Sequence, residues 1–302
     1  MERSLQRDSI PTNRIERYMA RMPSLPVTVN RVMEICNSPS TSPYDLNRVI
    51  SLDPVLTGQV LRLVNSAYYG LRNEVTSLPR AIIMLGMNTI KNLVVSSAIL
   101  STMSGRDDVH ALDMDAFWLH SLSAAVAAKR LAACIKIPAE NQEEYFVGGL
   151  LHDLGKIPLN SLFPSEYAEI MAEAPQKGTD LCEKERKFLG IDHTQVGGMI
   201  AEKWKLGVAI EDCLRLHHES LSASERNVDR VRIVALADLC ARRFGPDNAG
   251  TCCFDEEAVD MMRLALSIDQ TDLDDLRETM ADEIEKAMIF LHIAGGDHGD
   301  KD

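Results

Sequence analysis

Helical periodicity is the feature that most constrains the fold of this 302-residue chain. Apolar residues recur every three or four positions in almost every segment, whereas the apolar–polar alternation that half-buried strands require is absent. Aromatic residues, which strands favour, make up only 5% of the sequence. The sequence therefore predicts an all-α protein.

Capping residues predict where several helices begin. Ser42 directly precedes Pro43, a combination typical of a helix amino terminus, and Asp192 is a second predicted cap. Near the carboxyl terminus we expect Thr271 to cap an acidic amphipathic helix, with Asp274 at the capping-box position. The apolar stripe predicted for that helix consists of Leu273, Leu276, Met280, Ile284 and Met288.

Composition narrows the choice of compartment and partner. The net charge of −13 argues against nucleic acid as the default partner, because binding phosphates requires a positive face. No apolar run approaches the ~18 residues that a membrane-spanning helix needs, and the first twenty residues do not resemble a signal peptide. The seven cysteines are scattered without a CxxC pair, which favours reduced thiols. We therefore predict a cytoplasmic protein without a membrane partner.

Histidine and aspartate residues form an ordered set along the second half of the chain. Asp238 lies in the apolar segment VALADLC, where a carboxylate needs a cation or hydrogen-bond donors. Imidazole and carboxylate ligands together suit Fe, Mn, Zn or Ni better than Mg or Ca, and we favour one or two ions of Fe or Mn. The predicted ligands, all on predicted helices, are His120, His152, Asp153, His193, His217, His218 and Asp238.

Adjacent residues on a helix point about 100° apart, so His152 and Asp153 can address two neighbouring ions. A carboxylate that bridges two ions is typical of sites that generate hydroxide and clamp a phosphate. Each residue also has a structural explanation when it is taken alone. His193 suits a helix amino terminus, for example, and Asp238 could pair with Arg232 or Arg242.

The set His…HisAsp…His…HisHis…Asp resembles the HD superfamily of metal-dependent phosphohydrolases. Over roughly residues 20–245 the chain resembles more closely the HDOD family of bacterial signalling output domains. The matching stretches include MPSLPVTVNRVMEICNSPS, VISLDPVLTGQVLRLVNSAYYG, LLHDLGKI and LHHES. The resemblance implies an HD-like helical bundle with an amino-terminal multi-helix subdomain.

We accordingly predict three regions, with a polar boundary near SGRDDVHALDMD. Residues 1–104, which contain 11 Lys/Arg and 7 Asp/Glu, would form the amino-terminal helical subdomain. Residues 105–245 would form the HD-like metal-binding bundle, and residues 246–302 the carboxyl-terminal helices and a disordered tail.

The HDOD resemblance implies a regulatory module of bacterial signal transduction that acts by protein–protein contact, with histidine kinases or response regulators as partners. The HD resemblance leaves open an active metal-dependent phosphohydrolase acting on a nucleotide or cyclic nucleotide, with Asp153 and Lys156 as catalytic residues. Lys156 would then steady a phosphate oxygen. Related cyclic-di-GMP phosphodiesterases carry a Gly-Tyr-Pro motif that is absent after His218 in this chain. A third hypothesis is DNA binding through a helix-turn-helix in residues 44–66.

Overall fold

The computed structural model describes residues 13–103, 111–177, 181–220, 227–245 and 256–294. Within these ranges all regular secondary structure is helical, which confirms the all-α prediction. The predicted division at residue 104 and the predicted disordered tail fall on residues outside these ranges.

Mostly short helices form the amino-terminal part, and their connections range from the single residue Gly86 to residues 65–77. The Ser42 hydroxyl accepts a hydrogen bond from the Asp45 N–H, and the Asp45 carboxylate accepts one from the Ser42 N–H at 3.0 Å, which confirms the predicted cap. The helices are α1 (13–21), α2 (Val27–Cys36), α3 (Pro43–Ile50), α4 (Pro54–Val64), α5 (Leu78–Leu85) and α6 (Met87–Met103).

The longer helices α7 and α14 form the centre of the remaining part, where both pack against α8. The Cβ that an alanine would add at Gly149 in α8 would lie 2.6 Å from the Ala124 carbonyl oxygen in α7, so only glycine permits this close packing. The helices are α7 (Met114–Cys134), α8 (Ala139–Leu151), α9 (Lys156–Leu162), α10 (Pro164–Lys177), α11 (Leu181–Leu189), α12 (His193–Trp204), α13 (Val208–Leu216), α14 (Val228–Phe244), α15 (Glu256–Ala265), α16 (Gln270–Ala287) and α17 (Ile289–Ala294).

The carboxyl-terminal helices pack back onto both parts, because α16 contacts α7 and α17 contacts α6. The predicted start of α16 at Thr271 is wrong. Asp269 is the cap: it accepts a hydrogen bond from the Asp272 N–H, and its own N–H donates to the Asp272 carboxylate at 3.0 Å. Aspartate is the stronger capping residue, so the cap lies two residues before the threonine and the helix begins at Gln270. The predicted apolar stripe is buried except for Met288, which follows the end of the helix.

No single helix in the described ranges is both long and apolar enough to cross a membrane. The consecutive helices α5 and α6 reach that length and composition only as a pair, and they are bent by 115° at their junction. Most residues of α6 are buried in the protein, as expected for a core helix.

Candidate metal centre

All seven predicted ligands converge on one buried cluster. The expectation that they lie within helices holds for His120 in α7 and Asp238 in α14, and His193 is the first residue of α12. It is wrong for the other four. His152 and His217 are the C-cap residues that directly follow α8 and α13. Asp153 and His218 come next, in turns. The chain direction changes at a helix end, which lets two consecutive side chains point into the same space.

Asp153 lies at the centre of the cluster, and its two oxygens face different imidazoles. Oδ1 lies 3.3 Å from His193 Nε2 and 3.7 Å from His217 Nε2. Oδ2 lies 3.3 Å from His152 Nε2 and 3.6 Å from His120 Nε2. We call Asp153 with His193, His217 and His218 the Oδ1 group, and Asp153 with His120, His152 and Asp238 the Oδ2 group. The sequence-based expectation of a carboxylate between two sites matches this geometry.

The donor atoms within each group lie close enough to share an ion. In the Oδ1 group, one candidate ligand atom from each of the four residues lies within 4.8 Å of all the others. The same is true of His120, His152 and Asp153 in the Oδ2 group. The fourth member, Asp238, places its Oδ1 3.1 Å from His120 Nε2 and 3.5 Å from His152 Nε2.

Three imidazoles are oriented by acceptors on the side away from Asp153. His152 Nδ1 contacts the Gly149 carbonyl oxygen at 2.7 Å, and His217 Nδ1 contacts the Cys213 carbonyl oxygen at 3.0 Å. His193 Nδ1 contacts the Glu185 carboxylate at 2.6 Å. An acceptor of this kind fixes the Nδ1–H tautomer and directs the lone pair of Nε2 toward a metal. In each of the three residues, Nε2 is therefore the atom directed at Asp153.

Basic side chains compensate the carboxylates of the Oδ2 group. Arg242 donates to both oxygens of Asp238, at 3.0 and 2.5 Å, and Lys156 donates to Asp153 Oδ2 at 2.5 Å. Burial would raise the pKa of Asp238, but the Arg242 guanidinium together with His120 and His152 outweighs it and holds that pKa well below its usual range. Burial likewise opposes the charged form of His152, yet the Asp153 carboxylate raises the His152 pKa to about 9.

The imidazoles of the Oδ1 group differ from one another in charge. Burial lowers the pKa of His217 to about 4 and that of His218 well below its usual range, so both are neutral at pH 7. Burial also works against the charged form of His193, but Glu185 and Cys182 together outweigh it and raise the His193 pKa. Two neutral imidazoles beside a buried carboxylate are a suitable donor set for a transition metal.

Unpartnered polar atoms mark the centre of the cluster. His152, Asp153 and His217 are at most 2% exposed, and Nε2 of His218 is also shielded from solvent. Among the described residues, none forms a hydrogen bond with Asp153 Oδ1 or with Nε2 of His152, His217 or His218. Burying such atoms unpaired costs about 1–3 kcal/mol each. A cation in the Oδ1 group would satisfy Asp153 Oδ1 and Nε2 of His217 and His218, and one in the Oδ2 group would satisfy His152 Nε2, so the residues present fit metal ions.

Comparison with known proteins identifies the family. A model of the HDOD domain family matches residues 22–220. The chain belongs to the HDOD domain family. Every predicted metal ligand of this HDOD protein except Asp238 lies inside the matched range.

Solved structures show the same fold. An HDOD domain protein of unknown function from Geobacter sulfurreducens is 23% identical, with a TM-score of 0.74, and the match covers 95% of this chain and 99% of that one. A candidate phosphohydrolase from Shewanella amazonensis SB2B is 24% identical, with a TM-score of 0.70, over 93% and 98% of the two chains. A candidate signal transduction protein from Marinobacter aquaeolei VT8 is 20% identical, with a TM-score of 0.72, over 96% and 66%.

Two curated relatives are longer than this HDOD protein. An uncharacterized protein from Treponema pallidum is 25% identical over 73% of this chain and 42% of its own length. Ribonuclease Y from Mycoplasmoides gallisepticum is 26% identical over 62% of this chain and 30% of its own length. The chain thus spans less than half the length of either relative.

Sequence reasoning missed the residues that orient His193. Glu185 is fully buried, and it accepts hydrogen bonds from the His193 backbone N–H at 2.9 Å and from the Tyr167 hydroxyl at 2.8 Å. It lies in the charged run EKERK, which has the appearance of a solvated helix face. Cys182, which lies on α11 with Glu185, places its Sγ 3.9 Å from His193 Nε2. Only the packing of α11 against α12 distinguishes Glu185 from Glu183 and Arg186, which are exposed.

Proposed function

We propose that this HDOD protein is a regulatory module of signal transduction whose buried centre holds one or two divalent transition-metal ions. The observation that carries the proposal is the set of four unpartnered buried atoms on His152, Asp153, His217 and His218. The nitrogen and oxygen donors favour Fe or Mn over an oxygen-only Mg²⁺ or Ca²⁺ site, and we place Fe and Mn before Zn and Ni.

The proposed ligands follow the two groups around Asp153. His193, His217 and His218 would hold one ion with Asp153 Oδ1, and His120, His152 and Asp238 a second with Oδ2. A bound ion supplies positive charge and, where a water can reach it, Lewis-acid activation of that water. Arg242, Glu185 and the Gly149 carbonyl orient the ligands from outside.

Burial of the ligands supports a regulatory role over turnover. His152 and His193 are fully buried, and Asp153 is 1% exposed. Exposed apolar side chains in the amino-terminal part support action by protein contact, because apolar surface that is left in water can be buried against a partner. Their exposed fractions are 86% for Val27, 71% for Tyr44, 79% for Leu52, 71% for Val55 and 78% for Ile83.

Metal analysis of the purified chain tests the first part of the proposal. We expect bound Fe or Mn at one or two ions per chain after expression in medium supplemented with both metals, as measured by elemental mass spectrometry. The matched control is His292→Gln, which removes a histidine on α17 outside the cluster. Protein that is isolated without metal, and whose thermal unfolding is unchanged by added Fe²⁺, Mn²⁺, Zn²⁺ or Ni²⁺, would refute the metal proposal.

Site-specific photo-crosslinking tests the proposed protein contact. A photoreactive amino acid at Val55 or Ile83 should capture a histidine kinase or response regulator in cells, and mass spectrometry would identify it. The same amino acid at Lys187, an exposed residue of α11, is the control. Capture from the control position alone, or only of proteins without a signalling role, would contradict a partner surface on the amino-terminal helices.

An active phosphohydrolase is the second candidate, and the position of Lys156 favours it. Its amine lies 2.5 Å from Asp153 Oδ2 and its side chain is 11% exposed, so it could reach a phosphate beside the metal centre. A panel of nucleotides, cyclic nucleotides and short RNA, offered to the metal-loaded protein, tests this role. Turnover that is lost in Lys156→Met at unchanged metal content would establish the enzyme and displace the purely regulatory proposal.

DNA binding through residues 44–66 stays a prediction. In α4 the side chains of Leu56, Val60 and Leu63 are buried in the core, which leaves few polar side chains of that helix for reading bases. A salt-dependent mobility shift with duplex DNA is the measurement that would support it.

A further inference from the structure

A cleft of about 190 Å³ lies where the amino-terminal helices meet the bundle. Its walls come from α2 and α6 on one side and from α8, α13 and α14 on the other. The loop between α12 and α13 closes one end. None of the seven proposed metal ligands lines this cleft, so it is a second, separate concavity.

Positive charge predominates among the lining residues. Lys91, Lys205 and Arg230 face the cleft, whereas Glu144 is the single carboxylate among the residues that line it. Glu144 lies between two of these cations, 2.7 Å from Arg230 Nη2 and 3.4 Å from Lys91 Nζ. One carboxylate cannot neutralise three cations, so the cleft keeps a net positive charge.

Two buried donors in the cleft have no partner. Asn92 is 6% exposed, and its Nδ2 donates to no described residue. The Nε of Arg230 is also shielded from solvent and makes no hydrogen bond, although its Nη2 is bound to Glu144. An unsatisfied buried donor is costly, and both residues line the same cleft.

Apolar side chains form the rest of the wall. Val95, Val147 and Leu151 are buried core residues whose surfaces also line the cleft. The volume lies below the roughly 300–1,000 Å³ of most ligand pockets, so an occupant must be small. An apolar wall with a few convergent donors is the usual construction of a small-molecule site.

We propose that this cleft binds a small organic anion, with a carboxylate or phosphate group held by Asn92, Arg230 and Lys205 and an apolar body of about one ring against Val95, Val147 and Leu151. The ligand would bridge the amino-terminal helices and the bundle. This site goes beyond the proposed metal centre and does not depend on it.

Four compounds that share one ring test the proposal: benzoate, phenyl phosphate, neutral benzamide and cationic benzylamine. Calorimetry and ligand-observed NMR with the whole chain measure the affinities. We expect benzoate or phenyl phosphate to bind at least about tenfold more tightly than benzamide, because a charge-assisted hydrogen bond adds roughly that much affinity. Benzylamine should not bind. Equal affinity for benzoate and benzamide, or no binding by either anion, would overturn the proposal.

Variants locate the binding. Asn92→Leu keeps the side-chain volume and removes the buried donor, and Lys205→Gln removes an exposed charge at the rim without touching the core. Each variant should weaken the binding of the anion about tenfold or more, whereas Lys187→Gln on α11 should leave it unchanged. Removal of metal with a chelator should leave anion affinity unchanged in the unaltered chain. Anion binding that is lost on metal removal and kept in Asn92→Leu and Lys205→Gln would place it at the metal centre and refute the cleft.

Discussion

The two sides of the Asp153 carboxylate differ in how their charge is balanced. On the Oδ2 side the protein supplies its own cations, because Lys156 donates to Oδ2 and Arg242 donates to Asp238. On the other side, no described residue donates a hydrogen bond to Oδ1, and Nε2 of His217 and His218 is equally unpartnered. In the Oδ2 group the unpartnered atom is His152 Nε2. The same carboxylate is thus satisfied at one oxygen and unsatisfied at the other.

This difference indicates which group needs a metal more. A buried charge is stable only when it is paired, and the Oδ2 group already contains its pairs. The Oδ1 group relies on a proton at His193 or on an external cation. We therefore expect the first ion to bind in the Oδ1 group and a second, weaker ion to bind in the Oδ2 group.

Asp153→Asn should have the largest effect, because it removes the carboxylate that both groups share. We expect complete loss of bound metal, together with a destabilisation of the metal-free chain of about 3–5 kcal/mol from the cations left beside a neutral amide. Elemental analysis and urea unfolding measure the two quantities. Asp275→Asn, at an exposed position of α16, is the control. Two retained ions in Asp153→Asn would contradict the central position of this carboxylate.

His217→Gln and His120→Gln test the order of the two sites directly. We expect His217→Gln to weaken the tighter ion by more than the ~10–100-fold that loss of an outer partner costs, since it removes a proposed ligand. His120→Gln should spare that ion and remove only the weaker one. Competition titrations with a chelator resolve the two affinities. If the tighter ion were lost in His120→Gln and retained in His217→Gln, the order would be reversed.

Glu185→Gln should have a smaller effect on the same group. The amide still fills the space next to Tyr167 and His193, but it holds the His193 tautomer less firmly, so metal affinity should fall about 10–100-fold. Glu183→Gln, at an exposed position on the same helix, is the matched control. Chelator competition with both variants makes the comparison. Equal affinities would show that Glu185 serves folding alone.

A change of one pH unit should have the smallest effect on metal affinity. The pKa of His152 is about 9 because burial, which opposes the charge, is outweighed by the Asp153 and Asp238 carboxylates together. Below that pH a metal must displace a proton from His152, so affinity in the Oδ2 group should rise with pH from 7 to 9, by up to about tenfold per unit. The pKa of His217 is about 4, and this residue should contribute no dependence in that range.

Calorimetry in two buffers with different ionisation enthalpies counts the protons released when the metal binds. His152→Gln should abolish the part of the pH dependence that arises at the Oδ2 group. An affinity that is constant from pH 7 to 9 in the unaltered chain would contradict a protonated His152.

Local signals determined much of the fold. A serine or aspartate before a helix satisfies backbone N–H groups within three residues, so the caps at Ser42 and Asp192 were predictable from their own segments. The same reasoning misplaced the start of α16, because Asp269 and Thr271 are both acceptable caps and the stronger one was overlooked. Helical periodicity also predicted the all-α class, since the period depends only on neighbouring residues.

The sequence by itself determined the order and chemical type of the candidate ligands, because their identities and the helices near them are local properties. Only the tertiary structure decided which atoms meet. It divided the ligands between the two oxygens of Asp153, selected Arg242 rather than Arg232 as the partner of Asp238, and buried Glu185 within a charged run. These outcomes depend on how α7, α8, α11, α12, α13 and α14 pack, and that packing joins residues far apart in the chain.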